Sequence, residues 1–249
     1  NSFIQKALAS NVLVENPNFA ENHQIIFGYK SKNESNTHLS FSRESVDANI
    51  VSSDHPDTII FLAKDSKGVL PRVSKLTKGQ AIYHFLSGYT ATSVGIEDGV
   101  QEPQAEFSSC YSQPFLLLEP TRYAQILRQR LKHSDPKIYL INVGWLGGDH
   151  KTGVRASMDE TKEIVEYLTS RKESVSFYYK RTKYFNLKSI AEIHDGENAV
   201  MKLNNRWEDG REYKKQYKSL AKEFIKNYEQ FAGDEFAEKY AQFGPNLKS

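Results

Sequence analysis

Two short apolar runs, Asp57-Thr-Ile-Ile-Phe-Leu-Ala63 and Lys137-Ile-Tyr-Leu-Ile-Asn-Val143, constrain the fold more than any other feature of the chain. Each is too short for a buried helix, carries β-branched residues and runs into turn-forming residues, the pattern of strands covered on both faces. The first therefore reads as a buried central strand. Between the two, Thr77 caps a helix over Lys78–Leu86 that Ser87-Gly88 stops, and Thr121 opens a second over Tyr123–Leu131. A third helix is expected from Ser157 to Thr169. Strand, loop and helix in alternation predict an α/β fold, a mixed sheet with flanking helices.

The remainder is less regular. Residues 1–56 mix short apolar stretches, Asn11-Val-Leu-Val-Glu15 and Gln24-Ile-Ile-Phe27, with polar turn residues, which predicts strands in a hairpin or meander. Residues 95–108 carry glycine and acid without periodicity and read as a long surface loop. After Lys172 the chain is polar and irregular through Asn205, with a strand expected only at Val175–Tyr179. Tyr217, Leu220, Ala221, Phe224, Ile225 and Tyr228 recur at helical spacing, predicting one long amphipathic helix within Arg211–Tyr240. The whole of 1–249 reads as one lobe: an opening segment 1–56, a core 57–170 with the loop 95–108, and a tail 171–249. Asn1 opens it without an initiator methionine, which suggests a processed or cut chain.

Charge excludes several roles. With 33 basic and 31 acidic residues the net charge is only +2, so there is no general field for nucleic acid or anionic lipid. The run Lys180-Arg181 with Lys183 is too short to change that reading. No apolar stretch approaches the ~20 residues of a membrane span. A lone Cys110 excludes an intrachain disulfide, so a soluble protein of a reducing compartment, cytoplasm or mitochondrial matrix, is expected. Cys110 itself reads as a small buried hydrophobe, and His38, His84 and His150 have no metal-ligand spacing.

The stretch richest in candidate chemistry is Asn142-Val-Gly-Trp-Leu-Gly-Gly-Asp-His-Lys-Thr-Gly-Val-Arg-Ala-Ser-Met-Asp-Glu-Thr161, a glycine-bearing loop between an expected strand and an expected helix. Glycines let backbone approach a ligand, and a helix start offers N–H groups to an anion. Taken alone, this is also what an ordinary turn looks like.

Several motifs in order go further. Val69-Leu-Pro-Arg-Val-Ser-Lys-Leu-Thr77, Tyr83-His-Phe-Leu-Ser-Gly-Tyr-Thr-Ala91, Gly95-Ile-Glu-Asp-Gly-Val-Gln-Glu-Pro103, Phe107-Ser-Ser-Cys110 and Asn142-Val-Gly-Trp145 together resemble the ATP-dependent phosphoenolpyruvate carboxykinases. Past Thr161 the likeness thins to Phe185-Asn-Leu187 and Asn205-Arg-Trp207. The resemblance implies the C-terminal, nucleotide-binding lobe of that fold, with 95–108 as a mobile lid. It implies a reaction in which oxaloacetate and ATP give phosphoenolpyruvate, ADP and carbon dioxide, with Mg²⁺ on the nucleotide and Mn²⁺ at the substrate. In the family the Gly-rich phosphate loop and the metal ligands belong to a preceding half, and no Gly-x-x-x-x-Gly-Lys-Ser/Thr occurs here. By the family's pattern, Arg155 approaches the phosphates or ribose, while Ala156 and Thr161 lie near the base.

Departures from the pattern carry information as well. His38, in Ser35-Asn-Thr-His38, occupies the place of the family's substrate-binding arginine, and a mostly neutral imidazole has no bidentate fork. Ile96, Ser112 and Val143 replace a threonine, a glycine and a threonine. Two expectations follow: an enzyme lobe that is inactive until a missing N-terminal half or another subunit completes it, or a catalytically silent carboxykinase-like subunit of a larger assembly.

Overall fold

A computed structural model describes residues 12–15, 18–23, 25–26, 38–41, 54–92, 102–203 and 206–248. The chain divides into two compact units, Asn1–His55 with Thr92–Pro103, and Pro56–Ala91 with Gln104–Ser249.

In the first unit, strands β1 (Val12–Glu15) and β4 (His38–Phe41) pair antiparallel, as do β2 (Asn18–Phe19) and β3 (Ile25–Ile26). These are short strands of the kind expected for the opening segment. Residues 95–101 of the expected lid lie outside the described residues.

The second unit is built on a six-stranded mixed sheet. Strand β5 (Thr58–Ala63) runs parallel to β9 (Lys137–Asn142), which pairs on its other side, antiparallel, with β6 (Val73–Leu76). Strand β6 adjoins β13 (Lys188–Asp195), and β13 carries β12 (Val175–Arg181) and β14 (Asn198–Lys202). Alternation along β9 divides the core: Ile138 and Leu140 enter one apolar cluster, Tyr139 and Ile141 the other. Helices α1 (Lys78–Ser87), α2 (Pro120–His133) and α4 (Gly210–Tyr228) contribute to the first cluster, and α3 (Met158–Thr169) to the second. An α/β sandwich with helices on both faces results, as the alternation of elements predicts.

Helix α1 ends where its residues dictate. Thr77 and Gln80 form a reciprocal capping box, and Gly88 closes the helix in the left-handed region at φ 55°.

Four expectations need correction. Strand β9 lies between two others, β6 and β5, whereas β5 is the last strand of the described sheet, and its Leu62 is 52% exposed. Hydropathy reports burial of faces and says nothing of lateral order. The loop 95–108 contains a strand, β8 (Ala105–Phe107), paired with β7 (Tyr89–Ala91), while Ser109–Tyr111 is a 3-10 turn. The tract after Lys172 is a three-stranded antiparallel meander; its outer strand alternates half-buried and exposed positions, and the exposed ones are charged or polar enough to hide the pattern. The C-terminal helix is interrupted: after α4 and a 3-10 turn, Gly233 at φ 86° breaks the chain and Asp234 caps a separate helix, α5 (Glu235–Ala241).

Candidate functional site

The ends of β5 and β9 lie side by side, and two buried polar side chains hold the turns that leave them. Asp65, fully buried, accepts from the backbone N–H groups of Lys67 (2.9 Å), Val69 (2.6 Å) and Leu70 (2.7 Å) and from the Tyr89 hydroxyl (2.8 Å). Burial raises its carboxyl above the ordinary value, opposed by those hydrogen bonds. Asn142 Oδ1 accepts from the N–H groups of Gly144 (2.8 Å) and Asp65 (3.2 Å), while its Nδ2 donates to the carbonyls of Trp145 (2.9 Å) and Leu70 (3.4 Å). All its polar capacity is spent on backbone. Gly144 is required at this turn, because a Cβ there would stand 2.2 Å from the Asp65 nitrogen.

From Gly144 the chain makes a small antiparallel ladder, β10 (Trp145–Leu146) against β11 (Val154–Arg155), with Trp145 opposite Arg155. The Arg155 guanidinium lies over the Trp145 ring, 4.8 Å from its centroid, and Nε donates to the Val143 carbonyl at 3.0 Å. Among the described residues no carboxylate pairs with it and its two terminal nitrogens have no hydrogen-bond partner. Lys64 Nζ lies 5.9 Å from the same ring. Helix α3 starts three residues later, its Ser157 cap accepting from the Glu160 N–H at 3.4 Å. Asp159 and Glu160 in the first turn already meet the positive end of that helix. Arg155 is held by the Val143 carbonyl just past β9 and by the Trp145 ring, not by the helix start.

The Thr161 hydroxyl donates to the Ser157 carbonyl (2.6 Å) and accepts from Arg72 Nη2 (2.6 Å). Buried Arg72 also donates to the Asn142 carbonyl and pairs through Nε with Glu160 (3.3 Å), whose other oxygen receives Arg206 (3.2 Å). One arginine thus ties the end of β9 to the first turns of α3. Sequence reasoning missed this positioning role, as it missed that of Asp65. The only available signals were the place of Arg72 within the Val69–Thr77 motif and an acid following an apolar run.

Arg155, Ala156 and Thr161 fall on one connected stretch, the first exposed and the other two half-buried. His38 stands in β4 opposite Glu15, in the other unit. His84 is buried in the core, its ring edge-on to Tyr83 and Phe224, with burial pushing its pKa down to about 4. Cys110 is buried with its thiol pushed up to about 12, in keeping with an apolar role. Among the described residues no group of three or more His, Cys, Asp or Glu is placed to hold a metal ion, and no helix is long and apolar enough to cross a membrane.

The family model for phosphoenolpyruvate carboxykinase matches residues 1–199. The chain belongs to the phosphoenolpyruvate carboxykinase family. It is 37% identical over 247 residues to the phosphoenolpyruvate carboxykinase (ATP) of Leptospira biflexa, covering 97% of this chain and 46% of that protein. With the phosphoenolpyruvate carboxykinase (ATP) of Staphylococcus aureus the identity is 38% over 227 residues, covering 90% of this chain and 42% of the other. The chain thus spans slightly less than half the length of these carboxykinase relatives. The matched region takes in the whole ladder from Asn142 to Thr161, so the Arg155 loop is part of the carboxykinase-like lobe.

Proposed function

We propose that this chain is the C-terminal, nucleotide-contacting lobe of an ATP-dependent phosphoenolpyruvate carboxykinase, which converts oxaloacetate and ATP to phosphoenolpyruvate, ADP and carbon dioxide. The observation that carries the reading is Arg155: a guanidinium aligned by Trp145 and the Val143 carbonyl, with both terminal nitrogens unpartnered among the described residues. Such a donor set suits a phosphate or ribose oxygen. A side chain as small as that of Ala156 is compatible with a flat base beside it. The Thr161 hydroxyl, its proton already given to Ser157, keeps one lone pair and so suits the donor amino group of an adenine.

Phosphoryl transfer depends on cradling phosphates and neutralising charge. In this reading the phosphate loop, the Mg²⁺ and Mn²⁺ ligands and the remaining substrate contacts come from a carboxykinase N-terminal half, and the lobe alone does not turn over. The test is an assay for phosphoenolpyruvate with oxaloacetate, ATP, Mg²⁺ and Mn²⁺. No product is expected from the 249-residue chain alone, and product is expected once that half is supplied. Turnover by the chain alone, or ATP binding lost from neither form on altering Arg155, refutes the assignment.

A second reading, a catalytically silent carboxykinase-like subunit of a larger assembly, is favoured by His38 at the place of the family arginine. It predicts that the completed protein stays inactive and that His38→Arg restores turnover.

A further inference from the structure

A cavity of about 330 Å³ opens between α1, α2 and α5 with Phe243 just beyond it, and it shares no lining residue with the Arg155 loop. Its nine lining residues include four cations, Lys78, Arg128, Lys132 and Lys239, and no acid. In a chain of 33 basic and 31 acidic residues this is a local concentration of one sign. Among the described residues only Lys78 has an ion pair, with Asp135 at 2.9 Å, a carboxylate whose side chain is 93% exposed. Arg128, Lys132 and Lys239 have none.

The floor is apolar and specifically built. Phe243 lies against Gly79 in the first turn of α1, where a Cβ would come within 2.5 Å of the ring, so the aromatic seat exists because a helix position carries glycine. Phe243 remains 36% exposed at this face, its ring 5.9 Å from that of Tyr240. Buried Ile82 and Leu131 complete the base. A concave site of this size, with an aromatic floor and a few converging charges, has the character of a small-molecule pocket.

We infer that this groove binds a small amphipathic anion, a phosphate or carboxylate group joined to a flat apolar body, with the anion among Arg128, Lys132 and Lys239 and the apolar part on Phe243. Neither chemistry suffices alone. The cations are too mobile and hydrated to hold bare phosphate tightly, and the exposed ring is too small to hold a neutral aromatic.

Equilibrium titration of the purified protein with phenyl phosphate, inorganic phosphate and phenol tests the inference. Saturable one-to-one binding of phenyl phosphate is expected, at least tenfold tighter than either fragment. Replacing two charge-assisted contacts in Arg128→Ala/Lys239→Ala weakens it by about tenfold or more, with folding checked by circular dichroism. Lys132→Glu, a surface reversal, lowers affinity in the same direction. Lys180→Ala, at an exposed cation of β12 outside this groove, leaves phenyl phosphate binding unchanged, which separates the groove from surface charge in general. Absence of saturable binding, equal affinity for inorganic phosphate, or binding that survives the double substitution each overturns the inference.

Discussion

The Arg155 guanidinium stacks on Trp145, its cross-strand neighbour, 4.8 Å from the ring centroid, while Nε is anchored on the Val143 carbonyl. One face and one nitrogen of the arginine are used to aim the other two nitrogens. A charge-assisted hydrogen bond contributes about 1.5–3 kcal/mol, so at about 1.4 kcal/mol per tenfold Arg155→Ala weakens ATP binding by roughly ten- to a hundredfold in the completed protein. Arg155→Lys rescues little, because a point charge neither stacks nor forks in the same way. Calorimetric titration of the two variants decides; unchanged affinity in Arg155→Ala removes the residue from the site.

Asn142 joins turns that are 77 residues apart, bonding the Asp65 N–H and three other backbone groups. Asn142→Ala leaves those buried groups unpaired, at about 1–3 kcal/mol each before relaxation, and a total loss of about 2–4 kcal/mol is expected in urea unfolding. A loss within ±0.5 kcal/mol, the range of an ordinary surface change, contradicts the structural role given to it.

Two glycines of this unit predict opposite outcomes. Gly144→Ala drives a methyl into the Asp65 backbone, which cannot yield without opening the Asn142 network, and destabilises the fold. Gly210, the first residue of α4, has open space around its Cα and no positive φ. Alanine there is expected to be neutral or stabilising by about 0.4–1 kcal/mol through the unfolded chain. Thermal melts should therefore fall for Gly144→Ala and hold or rise for Gly210→Ala.

His84 sets part of the pH dependence. Its ring is buried against Tyr83 and Phe224, and its pKa falls to about 4, below the ~6.5 of an unfolded histidine. Between those values the unfolded chain binds the proton and the folded chain does not, so stability is full above about pH 6.5 and drains as pH falls toward 4. The shift corresponds to about 3 kcal/mol at ~1.4 kcal/mol per unit. His84→Phe keeps the aromatic packing and should flatten that part of the curve relative to wild type. Parallel curves for the two proteins show that His84 is not the titrating group. Asp65, with its raised carboxyl, acts in the opposite sense and is present in both.

Local chemistry was legible in the sequence because it is written in adjacent residues. The cap at Thr77, the stop at Gly88, the apolar runs that became β5 and β9, and the glycine-bearing loop that carries Arg155 each depend on neighbours a few positions away. Family membership followed from the order of such motifs. What only the tertiary structure decided was lateral and long-range: that β9 and not β5 lies between two strands, that a polar tract forms a meander, and that Arg72 reaches across to Thr161 and Glu160. Strand order and buried polar pairing are set by contacts between residues tens of positions apart, whose energies depend on burial and geometry that hydropathy along the chain does not encode.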